Sequence, residues 1–225
     1  MIGELYEHAL AGQARPEIEH PDGSLTPLPV DDLLQARPGD MSLVDRCQGA
    51  TLDVGSGPGR LTVALAERGI PALGIDVTPY AVEMARTAGA LALRRDVFDE
   101  IPGTGRWMTV LLADGRIGIG GDPVALLRRV AELLTPRGKA LVEVQPPGSE
   151  LRREQVRLRH GDQLSPWFPW AYVGADQLAD LASDAGLDLG DIWTADGRWF
   201  GSLRHPQPPG DDEAEQDYQV ITGPE

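Results

Sequence analysis

The chain has 225 residues, of which 41% are hydrophobic, and this length and composition suit one soluble domain with a full core. Its formal net charge of −15 repels phosphate backbones and makes nucleic acid a poor candidate substrate, and its single cysteine, Cys47, excludes an internal disulfide framework and a cysteine-based metal cluster. The first residues show no basic region followed by an apolar run, and no apolar run in the sequence is long enough to span a membrane. We therefore expect a cytoplasmic protein without a membrane partner.

Residues 1–46 precede the first predicted strand, and we interpret them as an N-terminal cap segment. Apolar residues at helical spacing, among them Leu5 and Tyr6, predict one short helix. The prolines between residues 16 and 29 then predict turns rather than regular structure.

Residues 51–59 read Thr-Leu-Asp-Val-Gly-Ser-Gly-Pro-Gly and predict a strand, a glycine turn and a helix that begins near Arg60. Glycine lets the backbone approach a ligand closely, and a helix N-terminus offers unpaired N–H groups to a carboxylate or phosphate. A dinucleotide-binding fingerprint requires a third glycine at the position that Arg60 occupies, so the turn disfavours NAD(P).

Strands and helices alternate after this turn, which is typical of a parallel sheet covered on both faces. The predicted second, third and fourth strands run into Asp76, Asp96 and Asp114. Ligands of such sheets bind at the carboxyl ends of the strands, so these acidic residues are expected to face one crevice.

The alternation is interrupted after the fifth strand. Residues 146–173 are predicted to form an irregular insertion that holds arginines, His160 and the aromatic run Trp167-Phe168-Pro169-Trp170. Clustered aromatic side chains are typical of an apolar small-molecule pocket. A helix and a hairpin follow up to residue 205, and residues 206–225 are predicted to be an acidic, disordered tail.

The spacing Gly55-x-Gly57-x-Gly59, with Asp53 before it and Leu73-Gly74-Ile75-Asp76 about one strand later, resembles the motifs of class I S-adenosylmethionine (SAM)-dependent methyltransferases. Residues 112–123 also resemble a stretch of bacterial methyltransferase-like proteins, although Arg116 stands where we expect asparagine. The resemblance implies an α/β fold with a Rossmann-like, doubly wound, seven-stranded sheet, mostly parallel with an antiparallel last strand. It also implies that residues 47–205 form the SAM-binding domain.

The resemblance further implies how SAM is held. The turn surrounds the methionine end, the Asp76 carboxylate binds the ribose hydroxyls, and Asp96 and Val97 meet the adenine. The complete set of expected cofactor contacts is Asp53, Gly55, Ser56, Gly57, Gly59, Asp76, Val77, Asp96, Val97 and Ala113.

The residues expected on the acceptor side are chosen by their position in the predicted fold rather than by a sequence motif. Tyr6, Asp114, Arg116 and Trp170 are expected to contact the substrate, and Asp114 and His160 are weak candidates for a catalytic base. No metal is expected, because the four histidines do not pair with carboxylates at ligand spacing in the sequence.

These observations together predict a SAM-dependent methyltransferase (EC 2.1.1.-) that acts on an oxygen or nitrogen atom of a small molecule, such as a secondary metabolite. Two alternatives stay open at this point. One is a non-catalytic SAM-binding regulatory or accessory protein, and the other is an NAD(P)-linked oxidoreductase. The acceptor molecule and the oligomeric state do not follow from the sequence.

Overall fold

The computed structural model describes residues 3–207. Six of the seven α-helices in the described residues have glycine, proline or aspartate at the N-cap or the first helical position, and Pro79 and Pro123 occupy first helical positions, where no N–H is needed. The helices are α1 (Glu4–Leu10), α2 (Val30–Leu34), α3 (Asp40–Val44), α4 (Arg60–Glu67), α5 (Pro79–Thr87), α6 (Pro123–Leu133) and α7 (Leu178–Asp184). None of these helices within residues 3–207 is long and apolar enough to cross a membrane.

The strands of the described residues form two sheets. They are β1 (Glu17–Glu19), β2 (Leu25–Pro27), β3 (Thr51–Val54), β4 (Ala72–Asp76), β5 (Ala92–Arg94), β6 (Trp107–Leu112), β7 (Leu134–Val144), β8 (Arg152–His160), β9 (Gln163–Leu164), β10 (Phe168–Tyr172), β11 (Asp188–Ala195) and β12 (Arg198–Arg204).

The larger sheet has seven strands in the order β11-β12-β7-β6-β3-β4-β5. Strands β3 to β7 pair in parallel, whereas β12 runs antiparallel to both β7 and β11. The strand order reverses between β3 and β6, which creates the crevice where such sheets bind ligands. The predicted α/β fold with an antiparallel last strand is confirmed.

Side chains alternate across this sheet and give it two apolar faces. Leu52, Val110 and Leu112 pack in one core cluster with α6 and α7. Leu111 and Leu141 point the other way and pack with α3 and α4. The sheet is therefore covered on both faces, as the alternation of strands and helices predicts.

The second sheet, which we call the cap sheet, joins two parts of the chain that are far apart in sequence. Strand β1 pairs with β2 on one side and with β8 on the other, and β10 and β9 also pair with β8. The sequence predicted turns over residues 16–29 and an irregular insertion at 146–173, and both predictions are wrong where β1, β2, β8, β9 and β10 form. The prolines are tolerated because Pro16 and Pro21 flank β1 and Pro27 ends β2, an edge strand.

The predicted tail begins at residue 206, and its residues 208–225 lie outside the described residues. The division into a cap segment of residues 1–46, a domain of residues 47–205 and a tail stays a prediction.

Candidate functional site

Two cavities lie side by side between the carboxyl ends of the parallel strands and the cap sheet. The glycine-turn cavity, of about 270 Å³, lies at the ends of β3, β4 and β5. The cap cavity, of about 350 Å³, lies between the cap sheet and the ends of β6 and β7. Four residues line both cavities and form the wall between them: Tyr6, Arg116, Phe168 and Trp170.

The glycine turn brings bare backbone to this wall. Gly55 and Gly57 have φ angles of 66° and 54°, in the left-handed region that favours glycine. A Cβ at Gly57 would lie 3.7 Å from the Tyr6 hydroxyl, and one at Gly55 would lie 2.9 Å from Cδ of Arg116. The missing Cβ at Gly55 therefore lets Arg116 pack directly against the backbone of the turn.

Asp76 is held against this turn, as the sequence predicts. Its Oδ2 accepts a 3.0 Å hydrogen bond from the Gly57 N–H, and its Oδ1 accepts one of 2.8 Å from the Thr78 N–H. A carboxylate offers about four lone-pair positions, so each oxygen can still accept one more hydrogen bond. Asp76 lines the glycine-turn cavity and can therefore bind two neighbouring hydroxyl groups.

The far end of the glycine-turn cavity is apolar with one carboxylate at its edge. Val77 and the buried Val97 line it, and Asp96 accepts a 3.0 Å hydrogen bond from the Phe98 N–H. The sequence interpretation missed Phe98 and Ile119, which also line the cavity. Phe98 directly follows the predicted Val97, whereas no sequence motif singles out Ile119.

Five of the expected cofactor contacts line neither cavity: Asp53, Ser56, Gly57, Gly59 and Ala113. Gly57 acts through its N–H on Asp76, and Ala113 is in the core. A Cβ at Gly59 would lie 2.7 Å from Cβ of Ala85, so this glycine lets α4 and α5 approach each other. The Ser56 hydroxyl is buried without a hydrogen-bond partner among the described residues, behind the turn and close to Gly74.

Asp53 supports the turn from beneath. The carboxyl is 3% exposed and accepts a 2.7 Å hydrogen bond from the Thr62 hydroxyl. Burial raises the pKa of Asp53 to about 6, against the Thr62 hydrogen bond and the Arg60 charge, which lower it. Asp53 thus connects β3 with α4 and does not reach the cavity.

The cap cavity is mostly apolar, with charged groups at the strand ends of the larger sheet and on and just after α2. Its apolar lining comes largely from α2, the residues just before it and the cap sheet, and includes Leu28, Leu33, Val156, Leu158 and Tyr172. Such a cavity suits a small organic molecule with one polar end.

Asp114 lines the cap cavity, but its carboxylate is fully engaged. Arg60 donates to it at 2.6 and 2.8 Å, and Arg37 at 2.9 Å. Burial by itself would raise the pKa of Asp114, yet the Arg60 hydrogen bonds and the neighbouring arginine charges hold it below its usual value. The geometry is consistent with the expected substrate contact and argues against Asp114 as a proton acceptor.

His160 is not brought to the site. It lies at the end of β8, is exposed, and has its Nδ1 3.2 Å from the Arg15 carbonyl oxygen. It lines neither cavity, so the geometry gives it no role as a base there.

His20 is a buried histidine that the sequence interpretation left aside. Its ring nitrogens lie 2.9 Å from Oε1 of Glu154 and 3.0 Å from Oγ1 of Thr26. These contacts link β1 to its neighbours in the cap sheet, so the residue serves packing. Within residues 3–207, no three His, Cys, Asp or Glu side chains lie together in a way that could hold a metal ion.

Comparison with known proteins points to one family. A family model described as a methyltransferase domain matches residues 31–191. Two curated relatives from Cereibacter sphaeroides strains, both called ubiquinone biosynthesis O-methyltransferase, are 26% identical over 148 and 152 residues. Each match covers 61% of this chain, and the chain spans only 59% of the length of these relatives.

Solved structures share the fold at lower sequence identity. A SAM-dependent methyltransferase from Bacteroides fragilis, in complex with S-adenosyl-L-homocysteine, has a TM-score of 0.76 at 23% identity and covers 92% of this chain and 94% of its own. The 1,6-didemethyltoxoflavin-N1-methyltransferase of Burkholderia thailandensis has a TM-score of 0.56 at 20% identity over 76% of this chain and 78% of its own. The family model covers well over half of the sequence, so the chain belongs to the methyltransferase domain family, with the class I SAM-dependent fold that its glycine-turn motif resembles.

Proposed function

We propose that the chain transfers a methyl group from SAM to an oxygen or nitrogen atom of a small molecule of secondary metabolism. The observation that carries the proposal is the position of the Asp76 carboxylate. Its carboxylate is oriented by the glycine turn, faces a cavity, and has lone pairs left for two hydroxyl groups. A second, apolar cavity for an acceptor shares one wall with it.

The residues present fit SAM. Gly55 and Gly57 carry no side chain of their own, so the backbone of the turn can lie close to the methionine end, Asp76 would bind the ribose hydroxyls, and Val77 and Val97 would offer apolar surface to the purine. When bound, SAM supplies a methyl group that its sulfonium already makes electrophilic. We assign residues 47–205 to this binding and residues 1–46 and 146–173 to covering the acceptor.

The chain's own contribution is then to place the acceptor and to keep water out. Positioning a nucleophile close to the reacting carbon can supply a large part of a rate enhancement. Phe168 and Trp170 of β10 and Tyr6 of α1 close the wall between the cavities from the cap side. Because the two cavities touch at this wall, an acceptor in the cap cavity lies next to the cofactor position.

The names of the similar proteins support a small-molecule acceptor, since they include a ubiquinone biosynthesis O-methyltransferase and a 1,6-didemethyltoxoflavin-N1-methyltransferase. These two enzymes differ in the kind of atom that they methylate, so their names do not decide between oxygen and nitrogen for this chain.

The test has two stages. Calorimetry with S-adenosylhomocysteine, NAD and NADP is expected to show binding of S-adenosylhomocysteine alone. Incubation of the protein with methyl-labelled SAM and a small-molecule extract is then expected to give a labelled small product. NAD(P) binding without S-adenosylhomocysteine binding would refute the proposal, and cofactor binding without any labelled product would favour an accessory protein.

A further inference from the structure

Arg116 is an unusual cation, because it lies at the centre of the site without a carboxylate partner. Its Nε donates a 3.0 Å hydrogen bond to the Gly55 carbonyl oxygen, and within residues 3–207 no carboxylate lies within ion-pair distance of its guanidinium. A guanidinium has five N–H donors, so most of those on Arg116 are left for a ligand. Because Arg116 lines both cavities, these donors lie in the wall between them.

Tyr6 adds a second unused donor to the same wall. Tyr6 is 4% exposed, and its hydroxyl lies beside the Arg116 guanidinium, yet within the described residues it makes no hydrogen bond of standard geometry. A buried polar group without a partner is costly and points to a ligand that completes it. Burial raises the pKa of Tyr6, against the charge and the N–H donors of the neighbouring Arg116, which lower it, so the hydroxyl stays protonated and can donate.

The acceptor-side carboxylates, by contrast, are occupied. Within the described residues, Asp32, Asp114 and Glu143 line the cap cavity, and each is paired with an arginine at 3.1, 2.6 and 2.7 Å respectively. No histidine or lysine is among the residues that line this cavity. The cap cavity therefore offers donors at the wall and no free base.

We infer that the acceptor atom is an ionised oxygen, such as a phenolate, enolate or carboxylate oxygen, on an apolar molecule, and that Arg116 and Tyr6 bind this oxygen. The inference rests on the proposed function, because it concerns the acceptor side of the same site. An alcohol or an ammonium group would need a base to remove its proton, and an ammonium group would also be repelled by Arg116. An oxygen that is already ionised needs no base and gains charge-assisted hydrogen bonds.

The transfer then balances without a proton. A lone pair of the acceptor oxygen forms the new bond to the methyl carbon, the bond between that carbon and sulfur breaks with its electrons on sulfur, and one anion and one cation give two neutral groups. Arg116 holds the nucleophile before the transfer and loses its anionic partner afterwards, which favours release of the methylated product.

Binding of two matched probes tests the inference. Naphthoate and naphthamide have the same shape and differ in charge, and calorimetry is run with each probe in the presence and absence of S-adenosylhomocysteine. The wild-type chain is expected to bind naphthoate about tenfold or more tightly than naphthamide, as a charge-assisted hydrogen bond provides. Wild-type protein without this preference overturns the inference.

Variants show whether Arg116 is the cause. Arg116→Gln is expected to abolish the preference, Arg116→Lys to keep part of it, and Tyr6→Phe to reduce it about threefold. Arg153→Gln, which removes an exposed arginine of β8, is the matched control and should leave the preference unchanged. If Arg116→Gln does not fold, Arg116→Lys and Tyr6→Phe still decide the outcome.

The cofactor has a carboxylate of its own, and a second comparison separates it from the acceptor. Methylthioadenosine lacks the amino-acid carboxylate of S-adenosylhomocysteine. If Arg116→Gln weakens S-adenosylhomocysteine but neither methylthioadenosine nor naphthoate, Arg116 serves the cofactor and the inference is wrong. Wild-type protein that binds no S-adenosylhomocysteine would instead refute the proposed function, because the probe preference is also measured without it.

Discussion

The two cavities of this molecule are built in opposite ways. The glycine-turn cavity is formed by consecutive strand ends of the seven-stranded sheet, and its main contacts, Asp76 and the Gly57 N–H, are 19 residues apart. The cap cavity is closed by a sheet in which Ile18 of β1 pairs with Leu158 of β8, 140 positions later in the chain. The strand-end side of the glycine-turn cavity is encoded locally, whereas the cap cavity and the wall that both cavities share exist only once distant segments meet.

This difference suggests a division in stability as well as in function. The seven-stranded sheet is covered by helices on both faces, whereas the strands β1 and β2 of the cap sheet have three residues each. Regions with short strands and fewer buried contacts open at lower free-energy cost. We therefore expect the cap to loosen before the cofactor side does.

The largest expected effect is that of Leu158→Ala on the cap. Leu158 is 1% exposed and packs with α1, so its truncation should lower the free energy of unfolding of the cap by about 4 kcal/mol. Hydrogen exchange should become faster in β1 and β8. If the cofactor side is stable independently of the cap, calorimetry should show that the affinity for S-adenosylhomocysteine changes by less than about threefold.

Leu164→Ala is the control, because Leu164 lies on the cap sheet but is 48% exposed and should change stability by less than about 0.5 kcal/mol. Complete loss of S-adenosylhomocysteine binding in Leu158→Ala would show that cap and sheet unfold as one unit.

Gly59→Ala should destabilise the larger sheet by about 3 kcal/mol. Its φ of 88° is costly for alanine, and the new Cβ would lie 2.7 Å from Cβ of Ala85. Gly69 has a similar backbone conformation, with a φ of 72°, but open space where a Cβ would lie. Gly69→Ala should therefore lower the free energy of unfolding by only about 1 kcal/mol. Urea denaturation of both variants separates packing from backbone strain, and equal losses would contradict the packing role of Gly59.

Asp76→Ala should weaken S-adenosylhomocysteine binding about hundredfold, because two hydrogen bonds to a charged carboxylate are lost. Calorimetry measures the change. Asp99→Ala removes an exposed carboxylate that lies outside both cavities, and it should bind like the wild-type chain. If both variants bound equally, the assignment of Asp76 to the ribose would be wrong.

The smallest effect concerns pH and Asp53. Its folded-state pKa is about 6, above the ordinary 3.8, so between about pH 4 and 6 the native chain binds a proton that the unfolded chain has lost. Stability contributed by this group therefore falls as pH rises through that window and stays lower above it. A shift of this size is at most about 3 kcal/mol, and we expect about 1 kcal/mol after relaxation around Thr62.

Asp53→Asn removes the titration. Urea denaturation across pH 4 to 7 should show the variant gaining stability relative to the wild-type chain as pH rises. A stability difference between the variant and the wild-type chain that does not change with pH would mean that the pKa of Asp53 is not raised in the folded protein.

The sequence predicted the fold and the place of the glycine turn for a physical reason. Gly55, Gly57 and Asp76 have roles that depend on backbone angles and on the ends of neighbouring parallel strands, and both follow from local patterns. Asp53 and Gly59 belong to the same motif, yet they face α4 and α5 rather than the ligand. A motif identifies the turn but does not say which of its residues point inward.

The residues expected on the acceptor side come together only in part. Tyr6, Arg116 and Trp170 do meet in one wall, whereas His160 lies elsewhere and Asp114 is bound by arginines. No local pattern shows that Arg37, Arg60 and Arg198 converge on one carboxylate, because they come from three distant parts of the chain.

The sequence by itself determined the layered α/β fold, the glycine turn and the carboxylate that faces it, since these depend on short-range periodicity and on single residues with special backbone angles. Only the tertiary structure decided that residues 17–27 and 152–172 share a sheet, which carboxylates remain free, and that Arg116 faces two cavities. Strand pairing across such distances and the partner of each charge depend on long-range packing, which short stretches of sequence do not encode.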